Sequence, residues 1–204
     1  MIFAGIYSEK YRGRYEAIAE QIDALPDAVN CWREIPQQVF DEPYAFPDGQ
    51  KCEWCRRNPC RFPFHHGCDV KIQHIVDLMD EHPGDLLVYT DCDVVFKRRD
   101  HFLGDLNWIK TLLDQGEQIV FQREGAGASP RWPANVNIGL NVCRMTEEPR
   151  AFFAAVLEQM HTREYPHNWD QRVVNELLVG GYQIHWYAVP PGVMFEHAKA
   201  GGKA

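Results

Sequence analysis

The sequence predicts an α/β domain, a sheet of buried strands flanked by helices. Three observations carry that prediction. Short apolar and β-branched runs such as IFAGIY, LLVYT and IGLNV alternate with stretches whose apolar residues recur at helical spacing. Glycine and proline punctuate the junctions between them. The chain has 204 residues, 45% of them apolar and 12% aromatic, which suits one domain burying roughly 70% of the surface its unfolded form exposes.

Taken in order, IFAGIY reads as a first strand, and Tyr15, Ile18, Ile22 and Leu25 then mark a helix closed by Pro26. AVNCWREI reads as a second strand. Between residues 41 and 68 the texture changes to a Cys- and Pro-rich segment without a period, expected to form an irregular loop inserted in the single 1–204 domain. Val70, Ile72, Ile75, Val76 and Met79 restore a helical stripe, which ends at HPG. DLLVYTD is the next strand, HFLGDLNWIKTLLDQG is helical in its later part, and EQIVFQRE is again a strand. A Gly/Pro-rich loop leads to the strand IGLNVCRM. Thr146 caps a helix with Pro149 in its first turn, NWDQRVVNELLVGG is a helix stopped by glycine, and YQIHWYAVP is a late strand.

A formal charge of −8 and a pI near 5.6 exclude a broad basic face for nucleic acid or anionic lipid. No apolar run approaches the ~20 residues of a membrane span, and MIFAGIYSEKYRGRYE lacks the pattern of a secretory leader. With seven cysteines, an odd number, the expectation is reduced thiols in a cytoplasmic setting. Cys52, Cys55, Cys60 and Cys68, with His65 and His66 close by, offer soft ligands that could close around a structural Zn²⁺. Free thiols and disulfides are the other readings of the same spacing.

The chemistry is concentrated in LLVYTDCDVVF, where an apolar strand delivers Asp91 and Asp93. If the chain stays extended, the two carboxylates share a side and Cys92 takes the other. Ligands of open α/β sheets collect at the carboxyl ends of strands. Neighbouring carboxylates repel unless a cation or proton lies between them, and hard oxygen donors suit Mn²⁺ or Mg²⁺, which also hold phosphates. A pair of solvated strand-end carboxylates is the bland alternative.

Four segments in order, VYTDCDVVF, NVNIGLNVCR with Asn137, Gly139 and Arg144, NWDQRVVNELL with Asp170 and Gln171, and EHAKAGGK near the end, resemble the nucleotide-sugar-dependent glycosyltransferases of the GT-A fold. The resemblance covers most of the chain from about residue 70 onward. It implies a mixed, mostly parallel sheet, a UDP- or GDP-type sugar donor, a sugar or protein hydroxyl acceptor, and Mn²⁺ or Mg²⁺ as cofactor. By position, Asp91 and Asp93 resemble the family's metal-binding pair and His197 its late histidine ligand, while Lys203 approaches the diphosphate. Tyr7 or Tyr11 matches the place where the base packs, and Lys71 matches the cation before the central helix. Asp170 is the candidate acceptor of the hydroxyl proton, with Gln171 and Asn137 as positioning groups. The chain departs from the familiar version in ending at Ala204 just after Lys203.

Three rival functions share parts of the pattern, and one of them, a sugar-nucleotide pyrophosphorylase, shares the sheet but expects a glycine-rich opening loop that FAGIYSEK lacks. In a phosphatase of the haloacid dehalogenase type Asp91 would be the nucleophile, but that needs a later Ser or Thr at a strand end, which IVFQREG and IHWYAVPPG do not offer. In a non-enzymatic adaptor stapled by zinc, the carboxylates would be surface groups only.

Overall fold

The computed structural model describes residues 1–43, 45, 51, 56–60, 64–96, 99–124, 134, 136–161 and 170–197. Its elements alternate much as the apolar runs do. β1 (Ile2–Ala4) is buried throughout, and β2 (Ile6–Tyr7) continues it after Gly5. A 3₁₀ turn leads into α1 (Arg12–Asp23), which buries Ile18 and Ile22 as their spacing predicts. The second predicted strand breaks at Cys31 and Trp32 into β3 (Val29–Asn30) and β4 (Arg33–Glu34). β3 pairs with β1 and β4 with β2, both parallel.

After α2 (Gln37–Asp41) comes α3 (Phe64–Glu81), which starts earlier than the stripe from Val70 suggests. The reason is Cys68: it lies one turn before Ile72 in the same core cluster and is only 4% exposed, so it extends the buried stripe. The expected irregular segment 41–68 therefore closes on helix. β5 (Leu86–Thr90), β6 (Val94–Phe96), α4 (Arg99–Asp114), β7 (Ile119–Arg123) and β8 (Val136–Arg144) follow. α4 is helical from Arg99 and not only in its later part. Then come α5 (Glu147–Met160), α6 (Asp170–Val179), β9 (Trp186–Val189) and β10 (Phe195–His197). Thr146 occupies the N-cap of α5, but its hydroxyl meets the Glu148 carboxylate and not a backbone N–H.

The main sheet has the order β3-β1-β5-β8-β7-β9. β8 runs antiparallel to both neighbours, and the remaining pairs are parallel. Alternation along β5 shows how one strand serves two cores. Leu87 and Tyr89 join Ile72, Ile75, Phe152 and Val173 under α3, α5 and α6, while Leu86 and Val88 join Ile18, Ile22, Phe102 and Ile109 under α1 and α4. A separate antiparallel ribbon pairs β6 with β10. Among the described residues no helix is long and apolar enough to cross a membrane.

Candidate functional site

The site begins where β5 stops. The Asp91 N–H donates to the Gly139 carbonyl at 2.9 Å, the last tie between this strand and β8. Cys92 and Asp93 then form a turn, and the chain pairs again only as β6, with a different partner. The extended alternation expected to set Asp91 and Asp93 on one side is therefore absent. A turn, not the pleat, sets their relative placement. Asp93 is exposed, whereas the Cys92 thiol is pushed up to about 12 by burial and by the charges of Asp91 and Asp93.

Lys71, from α3, is buried beneath this turn. Its Nζ lies 2.9 Å from Asp91 Oδ1 and 3.2 Å from Asp170 Oδ2. Burial alone would lower the pKa of an amine, yet the charges of Asp170 and Asp91 outweigh it and hold Lys71 well above the ordinary lysine value. Burial raises the Asp91 carboxyl, and Lys71 opposes that shift. The Asp91 side chain still reaches solvent over 39% of its surface while pairing with Lys71. The lone lysine matched by resemblance is thus the counter-ion of two carboxylates.

Asp170, the first residue of α6, is buried with both oxygens engaged. Oδ2 faces Lys71, and Oδ1 accepts the Gln171 N–H at 2.7 Å. The Cys68 thiol also lies against it, raised well above its ordinary value by burial and by the Asp170 charge. This arrangement makes Asp170 the anchor of Lys71, a different position from that of an open proton acceptor.

Glu124, at the end of β7, was not singled out by its sequence. Its Oε2 accepts the Asn137 Nδ2–H at 3.0 Å and the Gln171 Nε2–H at 2.6 Å, joining β7, β8 and α6. Asn137 Oδ1 in turn accepts the Gly139 N–H at 2.7 Å. Gly139 is required by close approach: a Cβ there would lie 2.8 Å from Asn137 Oδ1 and 2.9 Å from Asp91 Oδ2. Asn175, one turn beyond Gln171, accepts from Val136 N–H and donates to the Val136 and Gln171 carbonyls. Only the i, i+4 relation of Gln171 and Asn175 hinted at this in the sequence. Arg144 lies at the far end of β8, where it pairs with Asp114.

Of the aromatic candidates, Tyr7 belongs to the chain segment that reaches the same corner. A Cβ at Gly5 would stand 2.5 Å from the carbonyl of Thr90, so the end of β1 touches the end of β5. Tyr7 follows it, stacked on Tyr15 with centroids 4.2 Å apart, and Tyr15 tilts against Trp32. Burial, then the Glu34 charge, raises the Tyr7 phenol. Tyr11 lies under Lys10 and Arg14, at 5.5 and 5.6 Å from its ring centre.

The late histidine arrives by backbone pairing. In the β6–β10 ribbon residue 197 stands opposite Val94, next to Asp93. The His197 side chain lies outside the described residues, as do Lys203, Cys52 and Cys55. Of the proposed zinc ligands, Cys60 is buried and Cys68 is committed to the α3 core. Among the described residues no group of three or more His, Cys, Asp or Glu side chains is arranged to hold a metal.

No family model matches the chain, and no curated protein matches it. The backbone, by contrast, has solved counterparts, and the fold it shares with them is the GT-A fold. It is similar to a glycosyltransferase involved in the glycosylation of the major capsid of PBCV-1, with a TM-score of 0.63 and 11% identity over 98% of this chain and 94% of that one. GlyE of Streptococcus pneumoniae TIGR4 aligns with a TM-score of 0.55 and 15% identity, over 92% of this chain but 44% of its own. An active-site mutant of LgtC aligns over 100% of this chain and 89% of that one, with a TM-score of 0.52 and 12% identity.

Proposed function

We propose that this chain is a metal-dependent glycosyltransferase that moves a sugar from a nucleoside diphosphate, of UDP or GDP type, to a hydroxyl of a sugar or protein acceptor. One observation carries the reading. On a GT-A fold, Asp91, Lys71, Asp170, Gln171, Glu124 and Asn137 are joined by ion pairs and hydrogen bonds at the carboxyl end of β5, and β10 pairs residue 197 opposite Val94, next in the chain to Asp93.

Carboxylate oxygens and one imidazole are donors of the kind that Mn²⁺ or Mg²⁺ takes. Asp91, whose Oδ2 is turned toward Gly139, and the exposed Asp93 would supply carboxylate oxygens, and residue 197 pairs opposite Val94, the neighbour of Asp93. Such an ion, when bound, supplies Lewis-acid stabilisation of the charge that builds on the departing diphosphate. The chain's own groups do the rest. Lys71 fixes Asp91 and lowers the negative charge that an anionic donor meets. Tyr7 and Tyr11 flank the place for the base, and Asn137 and Gln171 position the sugar. Lys203, by the resemblance, would meet the diphosphate.

Titration calorimetry with a panel of UDP- and GDP-sugars tests this. Binding is expected with Mn²⁺ and is expected to vanish in Asp91→Asn and Asp93→Asn, with Asp93→Asn melting as the wild type does. Equal donor affinity with and without the metal would sink the proposal.

A further inference from the structure

A carboxylate has no proton to donate, so every amide that meets it must turn its NH₂ group inward. Glu124 Oε2 meets two such amides, Gln171 at 2.6 Å and Asn137 at 3.0 Å. The Asn137 carbonyl oxygen is already used by the Gly139 N–H. Among the described residues, the Gln171 side-chain carbonyl is the group of this chain of bonds with no donor facing it, which leaves its lone pairs to a ligand. We propose that Glu124 is a positioning residue: it locks the Gln171 amide so that α6 offers the donor sugar a carbonyl oxygen and not an NH₂ group.

The consequence is chemical. A carbonyl oxygen accepts a sugar hydroxyl, and its partial negative charge suits the positive charge that develops at the anomeric carbon as the bond to the diphosphate breaks. An NH₂ group in the same place would oppose that charge. With Glu124 removed, the Gln171 amide can turn over, and α6 no longer distinguishes the two orientations. Backbone restraint does not replace this control, because Asp170 and Asn175 hold only the main chain of Gln171. The inference rests on the glycosyltransferase reading and adds to it the determinant of which atom Gln171 presents.

The test is a reciprocal exchange. Glu124→Ala is expected to lower kcat about tenfold while the donor KM stays within about twofold, as befits a group whose effect grows in the transition state. Gln171→Glu alone sets two carboxylates against each other and is expected to lose roughly a hundredfold. In Glu124→Gln/Gln171→Glu the replacement amide can accept from Asn137 through its oxygen and donate to the replacement carboxylate through its nitrogen. That double variant is expected to regain at least about tenfold over Gln171→Glu. In the protein without ligands, ¹H–¹⁵N spectra should show one Gln171 side-chain proton shifted downfield, and Glu124→Ala should abolish the shift. Wild-type kcat in Glu124→Ala, no recovery in the double variant, or an amide signal indifferent to Glu124 would each overturn the positioning role. If the wild type neither binds nor turns over any nucleotide sugar, the glycosyltransferase reading fails and takes the sugar-facing role with it. The amide spectra still decide the Glu124–Gln171 bond itself.

Discussion

Replacing Lys71 with methionine removes the positive charge between Asp91 and Asp170 while keeping most of the side-chain volume. Lys71 and Asp170 are 8% and 6% accessible, so the loss leaves a buried carboxylate without its partner, which typically costs 3–5 kcal/mol. Asp91 keeps 39% of its side chain accessible, and solvent screens its share. The lower end, about 3 kcal/mol, is therefore expected. For a chain of this length each kcal/mol moves the melting temperature by roughly 2–4 °C, giving a drop of about 6–12 °C.

The pH dependence sharpens the test. Pairing raises Lys71 above its unfolded value, so its contribution is complete below the ordinary lysine range and is lost only as the pH climbs through the raised value. Wild-type stability is then insensitive to this amine around neutrality. In Lys71→Met, burial and the loss of the opposing ammonium raise the Asp91 carboxyl further, and the folded state takes up a proton before the unfolded chain does. The deficit must shrink as the pH falls through that raised value. Calorimetric melts of both proteins at neutral and at mildly acidic pH measure this. A variant melting within about 2 °C of wild type at neutral pH, or a deficit that grows on acidification, would refute the buried, charged triad.

Three further outcomes follow from close approaches and buried amides. Gly5→Ala drives a Cβ to 2.5 Å from the Thr90 carbonyl and 2.7 Å from the Trp32 ring, and since backbone cannot swing aside, urea melts should show a loss of about 1–3 kcal/mol. Asn175→Ala strips a fully buried amide from the Val136 N–H, the Val136 carbonyl and the Gln171 carbonyl, and the same melts should show about 2–3 kcal/mol lost. Gly139→Ala presses only on the ends of the Asn137 and Asp91 side chains, so stability should change by less than about 1 kcal/mol. Donor turnover, measured alongside, should fall roughly ten- to a hundredfold through misplacement of those two groups.

The strands and helices were legible wherever one face is apolar. Ile18 and Ile22 in α1 and the run through β5 obeyed their periods because burial alone decides them. The start of α3 was hidden because Cys68, counted as a possible metal ligand, serves as a core residue. The turn at Asp91 to Asp93 was also hidden, since no local signal says that β5 releases the chain to pair with a strand near the other end. In the site, Asp91 and Gln171 could be matched by motif, whereas Glu124 has no motif at all. Its role comes from where β7 ends relative to β8 and α6, which is a property of the assembled sheet. Lys71 was visible only as a single cation, because its two partners lie 20 and 99 positions away.

The β10 strand is anchored from behind. Phe195 is 2% exposed and packs edge-on against Phe102 of α4, and the Met194 N–H donates to Asp105 of the same helix at 2.8 Å. Residue 197 thus hangs two positions beyond a peg driven into the opposite layer of the domain. A change in α4 that never touches Asp91 or Asp93 would shift where residue 197 starts, so the end of β10 that faces the proposed site would inherit its alignment from a helix on the far side of the sheet.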